Sequence, residues 1–226
     1  MAADTELEHA VGARSGPSRL TVALLGVIAV AVAALAVALG YAWGSSGSNG
    51  TALPMQGSVD AGFARDMAIH HQQAITMAGY VRDNSTDPEV VTLAFDIETS
   101  QSVQMGQMIG WLDTWGISRT YGAPMDWMPG HHAIGAGGLM PGMATPDQMN
   151  RLLSLHGKAL DVLFLQLMIR HHQGGAPMAQ YAVAHAKELY VRNLAQAILN
   201  DQLPQVTQME QMLRQRGGTP LPPPQS

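Results

Sequence analysis

The chain repeats itself at a fixed offset. His70-His71-Gln72 returns as His171-His172-Gln173, 101 residues later, and residues 60–116 compared with 161–217 without a gap share 19 of 57 positions. The identities begin with Asp60/Asp161, Phe63/Phe164 and Met67/Met168. They continue through Met77/Met178, Ala78/Ala179, Tyr80/Tyr181, Leu93/Leu194, Ile97/Ile198, Gln101/Gln202, Gln104/Gln205, Met108/Met209 and Leu112/Leu213 to Gly116/Gly217. Most are spaced three or four residues apart, the period of one face of a helix. Two copies of one unit must build the same local structure twice. Each copy is read as a helical hairpin, and two hairpins joined by a long connection describe an all-α, ferritin-like four-helix bundle.

The boundaries follow from local chemistry. The first helix is expected from near Ser58 or Asp60 to about Arg82. Asp87 then caps a second helix that opens on Pro88 and stops at Gly116. Its apolar stripe runs Val90, Ala94, Ile97, Gln101, Met105, Met108, Leu112, Trp115, with Gln101 as the polar interruption. Residues 117–145 form an irregular connection rich in Gly, Pro and Met. Thr145-Pro-Asp-Gln148 reads as a capping box that opens a third helix, expected to reach about Ala186 with a kink at Pro177. A fourth helix is expected from about Glu188 to Arg216, and the tail 217–226 is expected to be disordered. The bundle domain is thus 58–216.

Before it, Leu20 to Trp43 is an apolar run without a single charge. Its 24 residues would rise about 36 Å as a helix, enough to cross a bilayer, and exceed the apolar core of a cleaved signal peptide. Arg14 and Arg19 precede the run, and no basic residue occurs from Ala42 to Ala64. The positive-inside rule then places the tail 1–19 in the cytoplasm, a transmembrane signal anchor at 20–43, a flexible linker at 44–57 and the bundle outside the cytoplasm. The expected architecture is therefore a four-helix bundle preceded by one transmembrane helix, in contact with the membrane through residues 20–43.

The chemistry centres on the repeated histidines. In each copy a methionine lies one turn before the pair and another lies six or seven residues after it: Met67, His70, His71 and Met77 in the first, Met168, His171, His172 and Met178 in the second. Imidazole with thioether is a soft donor set that suits copper, with methionine favouring Cu(I). These eight residues are the candidate metal ligands. Neighbouring side chains on a helix diverge by about 100°. One histidine of each pair is therefore expected to face the bundle, and the other a rim, a second site or a hydrogen bond. The competing reading is that His-His-Gln maintains a structural hydrogen-bond network in both copies. Met125, Met128, His131, His132, Met140 and Met143 in the connection are candidates for a second, flexible copper-capturing segment. Met105, Met108, Met209 and Met212 sit at core spacing, and His156 and His185 read as ordinary surface or packing residues.

Several classes are excluded. The chain has no cysteine, so disulfides, thiolate sites and cysteine nucleophiles are absent. A net charge of -5 with no basic run argues against nucleic acid. Di-iron carboxylate chemistry needs Glu-x-x-His on two helices. The bundle's glutamates, Glu89, Glu98, Glu188 and Glu210, supply none, and the one such motif, Glu6 to His9, lies in the expected cytoplasmic tail. No hydrolase motif or phosphate loop is present, and no enzyme is expected.

Three motifs together carry a family resemblance: Asp66-Met-x-x-His-His-Gln-x-Ala-Ile-x-Met-Ala78, Met140-Pro-Gly-Met-Ala-Thr-Pro-Asp-Gln-Met149 and Phe164-Leu-x-Leu-Met-Ile-Arg-His-His-Gln-Gly174. Over about residues 58–216 the chain resembles the bacterial domain of unknown function 305 family. The resemblance implies a ferritin-like bundle outside the cytoplasm, and copper binding as in some members. The chain departs from the family pattern at Gly174-Gly175-Ala-Pro177, which replaces a more usual Gly-Ala-x-x-Met-Ala continuation and bears on the direction of Met178. The expected function is a membrane-anchored, extracytoplasmic copper-binding protein for buffering, resistance or delivery to a cuproprotein. The alternative is a structural or accessory subunit of a membrane complex, and a homo-oligomer is compatible with either.

Overall fold

Ser58 caps the first helix of the bundle, accepting from Ala61 N at 3.2 Å, and α1 runs Val59–Asn84. Asp87 caps α2, Pro88–Trp115, through Glu89 N and Val90 N, and Gly116 ends it in the left-handed conformation. Thr145 and Gln148 form the reciprocal capping box of α3, Pro146–Leu152. Then follow α4, Gly157–His185, and α5, Leu189–Gln215. This computed structural model describes residues 35–37, 52–120, 122–130 and 138–224, and the described residues contain helices and no strand. The chain divides into two compact units, Met1–Ala52 and Leu53–Ser226. Of the first, the helical residues 35–37 and Ala52 are described. The expected cytoplasmic tail and, apart from 35–37, the expected membrane span at 20–43 lie outside the described residues, as do His131 and His132. Among the described residues no helix is long and apolar enough to cross a membrane.

The third helix expected from the sequence is two helices. After α3 the chain tightens into three-residue turns, Ser154 N to Arg151 O and Leu155 N to Leu152 O. Gly157 then takes a φ of +58°, open only to glycine at low cost, and re-aims the chain into α4. Pro177 and Pro204 both lie inside continuous helices.

Helix α1 packs on α2, α4 packs on α5, and the hairpins meet through α1 and α4. The repeat is visible in these contacts. Asp60 of α1 accepts from Lys187 N and Glu188 N in the α4–α5 turn, while its counterpart Asp161 of α4 accepts from Ser85 Oγ in the α1–α2 turn. Each hairpin thus fastens the other's turn, as a pseudo-two-fold arrangement requires. The core divides into two apolar layers. One joins Phe63, Met67, Met108, Leu112, Met178 and Ile198; the other joins Met77, Ile97, Phe164, Met168, Met209 and Leu213. Along every long helix the change from one layer to the other falls at the repeated His and Gln positions.

The connection is fastened at two places. Asp66, buried on α1, accepts from Met125 N at 2.7 Å and Trp127 Nε1 at 2.8 Å and pairs with Arg65 Nε at 3.0 Å. Trp127 lies over Gly62, where a Cβ would come within 2.2 Å of the indole. Farther on, residues 140–144 pass as a strap over α1 and α4. Gln73 holds Ala144 by both its backbone groups, and Gly174 admits the strap, since a Cβ there would stand 2.1 Å from Pro141 O. The repeat breaks at this point because the strap crosses once: Gln73 grips it on one helix, and its counterpart Gly174 makes room on the other. The tail expected to be disordered is tied down as far as it is described. Gln166 Nε2 donates to Thr219 O, and Leu221 packs against the core.

Candidate metal centre

All four repeated histidines are fully buried between the two apolar layers. His70 of α1 faces His171 of α4, their ring centroids 3.8 Å apart, and His172 follows with its ring 6.3 Å from that of His171. Of the alternatives expected for the second histidine of each pair, the rim is excluded by burial and the hydrogen bond is the one observed. α1 and α4 each have two helical neighbours, so positions about 100° apart both meet protein. One member of each pair faces across the α1–α4 contact and the other faces its own hairpin partner. His71 Nε2 bonds Gln104 Oε1 at 2.8 Å, and His172 Nε2 bonds Gln205 Oε1 at 2.9 Å, two bonds related by the 101-residue repeat.

These bonds fix protons. Gln104 Nε2 donates to Asp201 Oδ2 at 2.9 Å, so its oxygen is the atom that faces His71. A carbonyl oxygen accepts only, and His71 therefore carries its proton on Nε2 and leaves Nδ1 as a bare lone pair. His172 meets Gln205 Oε1 at the equivalent place in the second repeat, and its Nδ1 is likewise unpartnered among the described residues. His70 Nε2 donates to the strap carbonyl Pro141 O at 3.1 Å and likewise leaves Nδ1 bare. Those three Nδ1 atoms and both ring nitrogens of His171 have no hydrogen-bond partner among the described residues. An imidazole whose outer N–H is held by a carbonyl or amide and whose other nitrogen is free is the arrangement that metal-binding histidines use.

Charge is disfavoured at all four rings. Burial first, then repulsion from His172, lowers His70 to about 4 against the bond to Pro141. Burial pushes His71 down to about 3 and His172 to about 4, each partly offset by its glutamine. His171 falls well below the ordinary value through burial and then the proximity of the other three. At neutral pH the layer is a set of neutral imidazoles, the form that ligates metals.

Two further residues belong to the layer. Gln101 and Gln202, again repeat partners, are each 2 % exposed, and neither amide oxygen nor amide nitrogen has a partner among the described residues. A Cβ built on Gly175 would lie 3.2 Å from His70 Cε1 and 3.4 Å from Gln202 Oε1, which places that amide beside the His70 ring. Outside, a surface groove of about 710 Å³ between α2 and α5 is floored by Gln104 and Gln205 and flanked by Asp96 and Asp201. Two glutamine side chains thus stand between this groove and His71 and His172.

Of the eight candidate ligands, the structure gathers the four histidines in one layer. The methionines lie one step to either side, Met67 with Met178 in one apolar layer and Met77 with Met168 in the other, all fully buried. Among the described residues no three His, Asp or Glu side chains form a ready ligand cage. The donor set nonetheless fits a soft metal by its chemistry and by its free lone pairs; holding an ion requires imidazoles to turn about their side-chain torsions. Met125, Met128 and Met140 are buried in the core and Met143 packs against it. His156 and His185 are exposed. Gln104 is the layer residue that the α2 stripe missed, because Met105 takes its place in a regular four-three spacing. Its identity with Gln205 across the repeat was the available signal.

The chain belongs to the family described as a domain of unknown function, DUF305, which matches residues 60–213. It is similar to a DUF305 protein of Streptomyces coelicolor inferred to be secreted, at 41 % identity and a TM-score of 0.69, over 74 % of this chain and 99 % of that one. A DUF305 fragment from Deinococcus radiodurans matches at 30 % identity and a TM-score of 0.58, over 70 % and 96 %. CopM in its Cu(II)-bound form matches at 27 % identity and a TM-score of 0.54, over 71 % and 99 %. No protein of curated function matches the chain.

Proposed function

We propose that this DUF305 protein is a copper-binding protein of the cell surface, a carrier and not a catalyst, anchored through residues 20–43 with its bundle outside the cytoplasm. The observation that carries the reading is the buried layer of neutral imidazoles, His70, His71, His171 and His172, with unpaired ring nitrogens. Such a layer costs stability when empty and recovers it when a metal takes the lone pairs. His71 and His172, oriented by Gln104 and Gln205, are the leading ligands, joined by His70 and His171. Met67, Met77, Met168 and Met178 supply thioethers from the flanking layers, a donor type that favours Cu(I). The copper-bound state of CopM, a relative of the same fold, supports the choice of metal. The inferred secretion of the Streptomyces relative agrees with the compartment derived from Arg14 and Arg19. Buffering, resistance and delivery to a cuproprotein all fit such a site.

The test is metal content. Full-length protein is loaded with Cu(I), Cu(II) and Zn(II) in separate arms and its metal measured by mass spectrometry. A variant with His70, His71, His171 and His172 changed to Ala is carried in parallel. Stoichiometric copper lost in the variant supports the reading, and wild type with no more copper than the variant refutes it. A second reading, an accessory subunit of a membrane complex, is favoured by Phe95 and Val103, which stand exposed on the rim of the α2–α5 groove. Stoichiometric copurification with a membrane complex by metal-free protein decides for it.

A further inference from the structure

Gln101 and Gln202 set a requirement that a metal ion alone does not meet. Each amide brings two N–H donors and one acceptor into the buried layer, and neither has a partner among the described residues. In the metal-free protein the acceptors nearby are the bare imidazole nitrogens: Gln202 Oε1 and His70 Cε1 approach the same point over Gly175, at 3.4 and 3.2 Å, His70 Nδ1 is free, and Gln101 is the repeat partner of Gln202. A small rotation lets amide N–H groups donate to those lone pairs. A metal consumes the same lone pairs. Ligation by the imidazoles therefore removes those acceptors, and a cation accepts no hydrogen bond in their place. The NH₂ groups of the two amides cannot ligate the metal in turn. Each outer protein acceptor already receives one histidine N–H: Gln104 Oε1 from His71, Gln205 Oε1 from His172 and Pro141 O from His70.

We propose that Gln101 and Gln202 donate hydrogen bonds to a solvent-derived oxygen ligand, water or hydroxide, on the metal held by the histidine layer. This rests on the copper reading above and deepens it. The centre then has an exchangeable coordination position. A buried polar layer of this kind is fully satisfied only as a network of imidazoles, metal, oxygen and amides. The pair's occurrence in both repeats follows from one amide serving each hairpin.

The test is spectroscopic and uses full-length protein loaded with Cu(II). Pulsed electron paramagnetic resonance in ¹⁷O-enriched water is expected to show a strongly coupled oxygen. Azide, a small anion that displaces water from copper, is expected to give a charge-transfer band. The double variant Gln101→Leu/Gln202→Leu is expected to hold copper at the wild-type ratio, to lose or markedly weaken the oxygen coupling, and to bind azide with affinity changed about tenfold or more, the scale of one charge-assisted hydrogen bond. Wild type that binds copper without oxygen coupling overturns the proposal and leaves the copper reading standing. So does a folded double variant with unchanged coupling and azide affinity. Wild type that binds no copper overturns the copper reading and this proposal with it. Because the wild-type measurement decides by itself, a variant that fails to fold does not protect the proposal.

Discussion

The rings of His70 and His171 face each other across the α1–α4 contact, centroids 3.8 Å apart and planes inclined by 39°. They are one residue seen twice, since the 101-residue repeat carries one onto the other. The pseudo-two-fold relation of the hairpins therefore passes through the polar layer. Two imidazolium ions so placed, fully buried, would repel strongly in a medium of low dielectric. Neutrality of these rings is a condition of the fold.

Acid should therefore unfold the metal-free protein through its histidines. In the unfolded chain each takes up a proton near 6.5; in the folded chain His70 and His172 resist until about 4 and His71 until about 3. Between those values the unfolded state binds more protons, so stability rises with pH. The contribution is complete above about 6.5 and is lost progressively as pH falls to about 3–4. Thermal melts from pH 7.5 to 4.0 should show a falling Tm that begins below about 6.5, and the four-fold His→Ala variant should show a much shallower slope over the same window. An equal slope in the variant would assign the acid sensitivity to carboxylates.

The link from Asp201 through Gln104 to His71 sets a proton on one ring nitrogen. Gln104→Leu leaves His71 Nε2–H buried without a partner, at a cost of about 1–3 kcal/mol. It also frees the ring to turn. Copper affinity should fall roughly 10–100-fold, the usual effect of removing an outer partner of a ligating histidine. Asp201→Ala acts one step farther out, at an exposed carboxylate, and should cost less in both respects. Competition against a chromogenic Cu(I) chelator measures the affinity and thermal melts the stability; an affinity untouched by Gln104→Leu would remove His71 from the ligand set.

The hairpins and their caps were legible because helices and repeats leave periodic marks, whereas the meeting of the two hairpins through α1 and α4 had to come from the structure. Asp87, Pro88, Gly116 and the Thr145 capping box stand where the sequence puts them. The histidines were legible as a pair but not in direction. A single helix seen alone has one inner face, whereas α1 and α4 each have two neighbours, and that is tertiary information. Gly157 and the strap 140–144 were opaque for a different reason. Gly157 depends on a left-handed backbone turn and the strap on close approaches between backbones, and a glycine in a sequence does not record which of the two it serves.

Gly174 carries such an approach. A Cβ there would sit 2.1 Å from Pro141 O and 2.6 Å from Gly142 N, both backbone atoms that cannot swing aside. Gly174→Ala should displace the strap and with it the acceptor of His70, destabilising the protein by about 1–3 kcal/mol. Gly106 is the control: it is helical and exposed, and a Cβ there would meet nothing within 4 Å. Gly106→Ala should raise stability by about 0.5–1 kcal/mol. Chemical denaturation of the two variants side by side checks both signs.

Asp66 holds the first part of the connection. Its carboxylate receives Met125 N, Trp127 Nε1 and Arg65 Nε, and all four residues are buried. Asp66→Ala strands the Arg65 charge and two N–H donors, which should cost about 3–5 kcal/mol. Met125, held at a φ of +71°, loses the bond that offsets its strained backbone. Trp127 should move toward water, and a red shift of tryptophan emission under conditions where the helices persist would report it. Loss of stability without that shift would place the role of Asp66 elsewhere than in docking the indole.

The polar layer is costly for an empty protein, and a double-mutant cycle on His71 and Gln104 should expose this. His71→Leu leaves the Gln104 amide oxygen facing an apolar wall, and Gln104→Leu leaves the His71 N–H in the same position. Each single change should destabilise by about 1–3 kcal/mol. The double variant removes donor and acceptor together and fills the space with carbon, so it should be more stable than either single variant and close to wild type, a coupling of at least about 1 kcal/mol. The same double variant should lose the copper affinity that His71 supplies. If instead the double variant is the least stable of the set, the His71–Gln104 bond is a net stabiliser of the metal-free fold. The hydrogen-bond network is then sufficient reason for the repeated His-His-Gln.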